Sequence, residues 1–205
     1  MRYKSRMTKH KYLRSFILLV VGLAIASLIA YVQIKSESKP SLVVAENFGG
    51  PFTLIDTNGK TVTEKDFENQ YRLIYFGFTY CPAICPTELQ RINTVLKELG
   101  DKSNEIQPIF ITVDPERDTV DVMKNYVAMF NPRLIGLTGT PQQIEKIKKE
   151  YKVYAAKVKD DTMSDYTVDH SSFIYFMGPN DTLYQIFKAD DSVESMVAKI
   201  KKILS

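Results

Sequence analysis

The segment from Tyr71 to Phe78, YRLIYFGF, carries a single charge and shows no alternation of apolar and polar residues. A strand with one wet face has to alternate, because successive side chains point to opposite sides of a sheet. This one must be covered on both faces, which makes it an interior strand with helices on each side of its sheet. PIFITV, from Pro108 to Val113, is a second run of the same kind. Between the two, Pro86 and Glu88 open a stretch in which Leu89, Ile92, Leu96 and Leu99 recur at helical spacing up to Gly100, the pattern of an amphipathic helix with a glycine stop. Strand, helix, strand at this spacing is the unit of an α/β sheet.

The rest of the chain extends that unit. FTLID and KTVTE flank Thr57-Asn58-Gly59, where Asn-Gly signals a hairpin turn,. After PIFITV the sequence predicts a helix from about Thr119 to Phe130, with Met123 and Met129 on its apolar face, and a short strand from Leu134 to Leu137. Thr140 and Pro141 supply an N-cap and a first-turn proline for a helix to about Tyr151,. Strands follow at Tyr151–Val158, Ser172–Met177 and Leu183–Phe187, then a turn-bounded last helix from Ser192 to Leu204 with Met196 on its core side. No internal repeat interrupts this order. It predicts an α/β fold with a thioredoxin-like mixed sheet flanked by helices and an added N-terminal hairpin.

Residues Ser15 to Ile34 contain no charged side chain. As a helix rising about 1.5 Å per residue, twenty residues match the ~30 Å hydrocarbon layer of a bilayer. Six basic residues precede the run and no acidic residue occurs before Lys35, so the short end stays inside and the long end is exported. The expected organisation is a basic leader (1–14), one transmembrane helix (15–34), a polar tether (35–47) and a folded domain (48–205). Ala24-Ile25-Ala26 offers a competing signal-peptide cleavage site,; either reading exports the domain. Beyond Lys35 the chain holds 20 basic and 24 acidic residues, which removes the basic surface that nucleic-acid binding needs.

The chain has two cysteines, Cys81 and Cys85, placed just after the buried strand and at the mouth of the predicted helix. In α/β sheets that is where ligands and reacting groups gather, and a helix N-terminus favours thiolate, the form that attacks disulfides and binds metals. The exported part has one histidine, His170, at the end of the polar loop KDDTMSDY and before an apolar strand. A solitary histidine is more often a surface or satisfied core residue. Two thiolates and one imidazole nevertheless form a soft set of low coordination number that suits Cu(I), and Cu(II) with an added oxygen ligand. Asp114-Pro115-Glu116-Arg117-Asp118-Thr119 leaves the second strand at the same sheet edge; Asp118 or Thr119 reads as the cap of the next helix, in preference to a carboxylate contacting metal or substrate. Met163, in the loop before His170, could add a thioether, although a loop or core-edge methionine is the commoner case,. Phosphate loops, nucleophile elbows, zinc-protease and haem motifs are absent from the sequence,.

These segments resemble the SCO/SenC family of membrane-tethered, thioredoxin-like copper proteins that assemble the copper site of cytochrome c oxidase. The resemblance rests on Tyr75-Phe76-Gly77-Phe78-Thr79 before Cys81-Pro82 and Cys85-Pro86, on Thr112-Val113-Asp114-Pro115 with Arg117-Asp118-Thr119, on Leu137-Thr138-Gly139 and on Val168-Asp169-His170-Ser171. It implies copper held by Cys81, Cys85 and His170, and partners in the copper-bearing oxidase subunit and other copper carriers. It places the protein in the inner membrane, single-pass, with the domain facing the periplasm or the mitochondrial intermembrane space. Ala83 departs from the family, many members of which have Asp there, and removes a negative charge beside the thiols,. Two other uses of the cysteines stand beside copper delivery: a thiol–disulfide oxidoreductase in which Cys81 attacks and Cys85 resolves, and a redox-sensing module.

Overall fold

The computed structural model describes residues 17–28, 48–159 and 166–205. Residues 17–28 form a helix, α1, with every side chain exposed, and it belongs to a separate unit from Val43–Ser205. Among the described residues no helix is long and apolar enough to cross a membrane; positions 15–16 and 29–34 of the expected span lie outside them.

The second unit runs β1 (Thr53–Asp56), β2 (Thr61–Thr63), a 3-10 turn (Glu64–Phe67), β3 (Tyr71–Gly77), α2 (Ile84–Leu99), a 3-10 turn (Gly100–Glu105), β4 (Ile106–Thr112), α3 (Val120–Val127), β5 (Ile135–Thr138), α4 (Pro141–Glu150), β6 (Ala155–Lys159), β7 (Tyr166–His170), β8 (Ile174–Met177), β9 (Leu183–Phe187) and α5 (Val193–Ile203). Seven strands form one sheet in the order β2-β1-β5-β4-β3-β8-β9, and β6 and β7 form a separate two-stranded ribbon. β3 and β4 run parallel from Tyr71↔Ile106 to Gly77↔Thr112, β4 and β5 are also parallel, and β8 returns antiparallel along β3. The expected mixed sheet is present. β3 is interior for the reason its composition gives: Leu73, Tyr75 and Phe76 have no exposure.

Local chemistry sets the ends of the elements. In the β1–β2 turn the Asp56 carboxylate accepts from the N–H groups of Asn58 and Lys60, both at 2.8 Å, while Gly59 takes a φ of +76°. Thr140 caps α4 reciprocally with Gln143, and Pro141 begins it. Three boundaries differ from the sequence expectation. Tyr151 does not start a strand; its N–H still bonds back to Ile147, its ring is fully buried, and β6 begins only at Ala155. Tyr166, the last residue of the polar stretch, opens strand β7, which runs to His170 and pairs residue by residue with β6, so His170 ends a strand and not a loop. α3 stops at Val127, which leaves Met129 outside the helix and 69% exposed, whereas Met123 and Met196 are fully buried as expected.

Arg72, at the start of β3, is 1% exposed. Its guanidinium donates to the Asp181 carboxylate at 2.7 Å and to the Gly178 carbonyl at 2.8 Å, so the turn between β8 and β9 neutralises a charge the core has enclosed. Removing one member of such a pair strands the other. Asp181→Asn keeps a residue tolerant of the left-handed φ of +58° found there but removes the charge; it should cost roughly 2–3 kcal/mol, reduced from the fully buried case by the partial exposure of Asp181. Arg72→Met, which removes the enclosed charge itself, should cost less. Urea unfolding of both variants checks the order, and the reverse order would contradict this account of the pair.

Candidate metal and thiol centre

Parallel pairing of β3 and β4 carries both strands to a common edge, where each releases a turn. The turn after β3 holds the cysteines. Ala83 sits at the N-cap of α2 with no side chain to offer, and the sulfur of Cys81 takes that role by accepting from the Cys85 N–H at 3.3 Å. A helix N-terminus leaves its first N–H groups without internal partners, so the sulfur meets donors and the positive end of the helix dipole. Cys81 is half-buried and Cys85, in the first turn of α2, has no exposure.

Gly77 explains how the second sulfur fits. A Cβ at this position would lie 2.8 Å from the Cys85 sulfur and 3.0 Å from the rings of Phe110 and Tyr75. The last residue of β3 therefore has no side chain because Cys85 occupies its place.

His170 arrives from the ribbon. Its Nε2 lies 3.5 Å from the Cys85 sulfur, and its ring meets Tyr75 and Phe78 edge-on at 6.2 and 5.8 Å. Nδ1 is 3.0 Å from the Ser171 carbonyl. A carbonyl only accepts, so Nδ1 donates to it, and Nε2 is the ring nitrogen that faces the sulfur. The three residues singled out in the sequence, 85 positions apart at Cys85 and His170, thus converge at one sheet edge.

The two thiols are not equivalent. Cys81 is drawn down to about 4, first by the hydrogen bond from the Cys85 thiol and further by the His170 side chain and the helix N–H groups, against its own burial. Cys85 is pushed well above the ordinary thiol range by giving that hydrogen bond and by burial. One sulfur is a half-exposed thiolate and the other a buried thiol.

The Asp114–Thr119 turn frames this pair. Thr119 caps α3, accepting from the Val122 N–H at 3.4 Å. Asp118 does not; it is fully buried, accepts from the Thr79 N–H at 3.0 Å and from the hydroxyls of Thr79 and Thr112, and burial raises its carboxyl. Asp114 accepts from Arg117 and from the Tyr166 hydroxyl at 2.8 Å. Arg117 lies over the Tyr166 ring at 3.8 Å and the Tyr80 ring at 4.8 Å. These carboxylates tie the cysteine turn and the ribbon to the end of β4. Sequence reading missed Tyr75, Gly77 and Ser172 as neighbours of the thiols, because inside β3 and at the start of the last sheet strands they read as packing residues. Met163 lies outside the described residues.

The SCO1/SenC family model matches residues 41–205. The chain belongs to the SCO1/SenC family. A SCO2-like protein of Rickettsia prowazekii is 37% identical over 211 residues, covering 98% of this chain and 99% of that one. Among solved structures, ScoI of Arabidopsis thaliana with copper bound is 41% identical, with a TM-score of 0.73 over 77% of this chain and 98% of that one. BsSco, a member of the Sco family of cytochrome c oxidase assembly proteins in which a disulfide switch was identified, is 26% identical, with a TM-score of 0.60 over 76% of this chain and 93% of that one. Against the mitochondrial SCO1 homolog 1 of A. thaliana and SCO2 of Saccharomyces cerevisiae, this SCO1/SenC chain spans about half their length, 53% and 52%.

Two outcomes follow from the geometry of this SCO1/SenC centre. Iodoacetamide should alkylate Cys81 first, and because thiolate is the nucleophile, the rate should stay level down the pH scale until it falls near pH 4, the value to which Cys81 is drawn; mass mapping of single-turnover alkylation reads both. An inflection near that of an ordinary thiol, about 8.5, would contradict the asymmetry. Gly77→Ala should lose roughly 1–3 kcal/mol by overpacking and expose Cys85 to the same reagent in the folded protein.

Proposed function

We propose that this chain is a membrane-tethered copper carrier that delivers copper to, or prepares, the copper site of cytochrome c oxidase, with Cys81, Cys85 and His170 as its ligands. The observation that carries the reading is the 3.5 Å approach of the Cys85 sulfur and the Nε2 of His170. A sulfur and a nitrogen at this separation are near enough for one metal ion to bond both. Among the described residues no cluster of three or more Cys, His, Asp or Glu stands ready to hold a metal ion, so binding would have to close the trio, with Cys85 giving up its proton. The donor set, two sulfurs and one nitrogen, fits Cu(I) and, with a further oxygen ligand, Cu(II). Relatives solved with copper bound and a relative described as an oxidase assembly protein support the cargo and the partner. Delivery would proceed by exchange, with ligands of the oxidase subunit or of another copper carrier replacing these side chains one at a time.

The uncharged run 15–34 is the proposed anchor, with six basic residues on its inner side and the folded domain exported,. Mitochondrial and rickettsial relatives support an inner-membrane protein facing the intermembrane space or the periplasm.

One observation favours a second reading. A half-exposed thiolate at Cys81 beside a buried thiol at Cys85 is the arrangement of an attacking and a resolving cysteine,. Anaerobic Cu(I) titration of the reduced full chain against a competing chelator separates the two. The expected result is one tight equivalent in the native chain and at least tenfold weaker retention in His170→Ala. Retention indifferent to His170, with disulfide exchange intact, would replace copper delivery by thiol–disulfide chemistry.

A further inference from the structure

Tyr75 is fully buried, yet a phenylalanine would fill the same space without a hydroxyl to satisfy,. Its ring is stacked on Phe110 and met edge-on by His170, both at 6.2 Å. The hydroxyl lies 3.7 Å from the Cys85 sulfur, to which it donates, and 3.2 Å from the Ser172 hydroxyl. With the phenol proton committed to sulfur, Ser172 is the donor to the phenol oxygen. Ser172 stands in the short link between β7 and β8 that also carries Ser171, the acceptor for the His170 ring. One segment thus orients both the imidazole and the phenol that meet at Cys85.

We propose that Tyr75 is a positioning residue for Cys85: its hydroxyl, oriented by Ser172, donates to the sulfur and sets how much electron density that sulfur gives to a bound metal ion. The inference rests on the reading of Cys85 as a copper ligand. Hydrogen bonds to a ligating sulfur tune the metal that it holds. In the metal-free protein the same bond stabilises the reduced sulfur over a disulfide, whose sulfurs are poorer acceptors.

The full-length chain, Tyr75→Phe, Ser172→Ala and the double variant test this, with Cu(II) as the metal probe. In Tyr75→Phe the sulfur-to-copper absorption band should move to lower energy, because a sulfur without the donor is richer in electrons; Ser172→Ala should move it less, in the same direction. The double variant should match Tyr75→Phe, since Ser172 acts through the phenol. Without metal, equilibration with glutathione oxidises the Cys81–Cys85 dithiol to the disulfide while oxidised glutathione is reduced to two thiols. That equilibrium should favour the disulfide about fivefold more in Tyr75→Phe, the effect of one lost hydrogen bond. A band and an equilibrium both unchanged in Tyr75→Phe would overturn the proposal, as would a Ser172→Ala effect that adds in full to that of Tyr75→Phe. A native chain that binds no copper would instead sink the copper reading, and the glutathione arm would then decide the role of Tyr75. Circular dichroism reports whether Tyr75→Phe folds; if it does not, Ser172→Ala carries both measurements, and no shift in either overturns the proposal.

Discussion

One buried carboxylate joins the two central strands where they end. Asp118, with no exposure, accepts from the backbone and hydroxyl of Thr79 after β3 and from the hydroxyl of Thr112 at the end of β4. Seven residues of parallel pairing bring β3 and β4 to this edge together, and the Val113 N–H bonds to the Gly77 carbonyl at 2.8 Å beyond the last pair. Without that tie, the turn holding Cys81 would leave β3 with its backbone unanchored and no fixed course toward α2. The position of the thiolate, the sulfur cap on the helix and the space for Cys85 behind Gly77 all presuppose it.

From the other side, Tyr166 and Arg117 fix the ribbon. Tyr166 opens β7, donates to Asp114 and receives the Arg117 guanidinium on its ring; four residues later the same strand delivers His170. The imidazole and the thiolate are thus held by neighbouring residues of one turn, Asp114, Arg117 and Asp118. The motif's worth to the centre is positional.

How much of this was legible in the sequence depended on whether the signal was local. Buried runs, Asn-Gly, Thr140-Pro141 and Gly100 are local signals, and the elements they mark are where they were expected. The trio of Cys81, Cys85 and His170 could be nominated by scarcity and softness, and the fold brings the three together. β7 was invisible because Val168 is its one buried residue and the others from Tyr166 to His170 are half-buried or exposed, so the segment reads as a strand only through its pairing with β6. Tyr75 and Gly77 were passed over, and Asp118 was offered beside Thr119 as a cap, for a related reason: a tyrosine and a glycine in a buried strand, and an aspartate before a helix, have ordinary explanations that only the register across β3, β4 and β8 displaces.

The ribbon that carries His170 shares no strand pairing with the seven-stranded sheet. A pair of strands alone is marginally stable in water, so β6 and β7 depend on side-chain ties such as Tyr166 to Asp114 and Lys157 to Glu116. Opening it costs the contacts of His170 with Tyr75 and Cys85 but breaks no strand pairing of β3, and local units of this kind open at a smaller free energy than the whole domain. The nitrogen can therefore leave while both sulfurs stay in place, which makes the histidine side the hinged half of the centre and the cysteine side its fixed jaw.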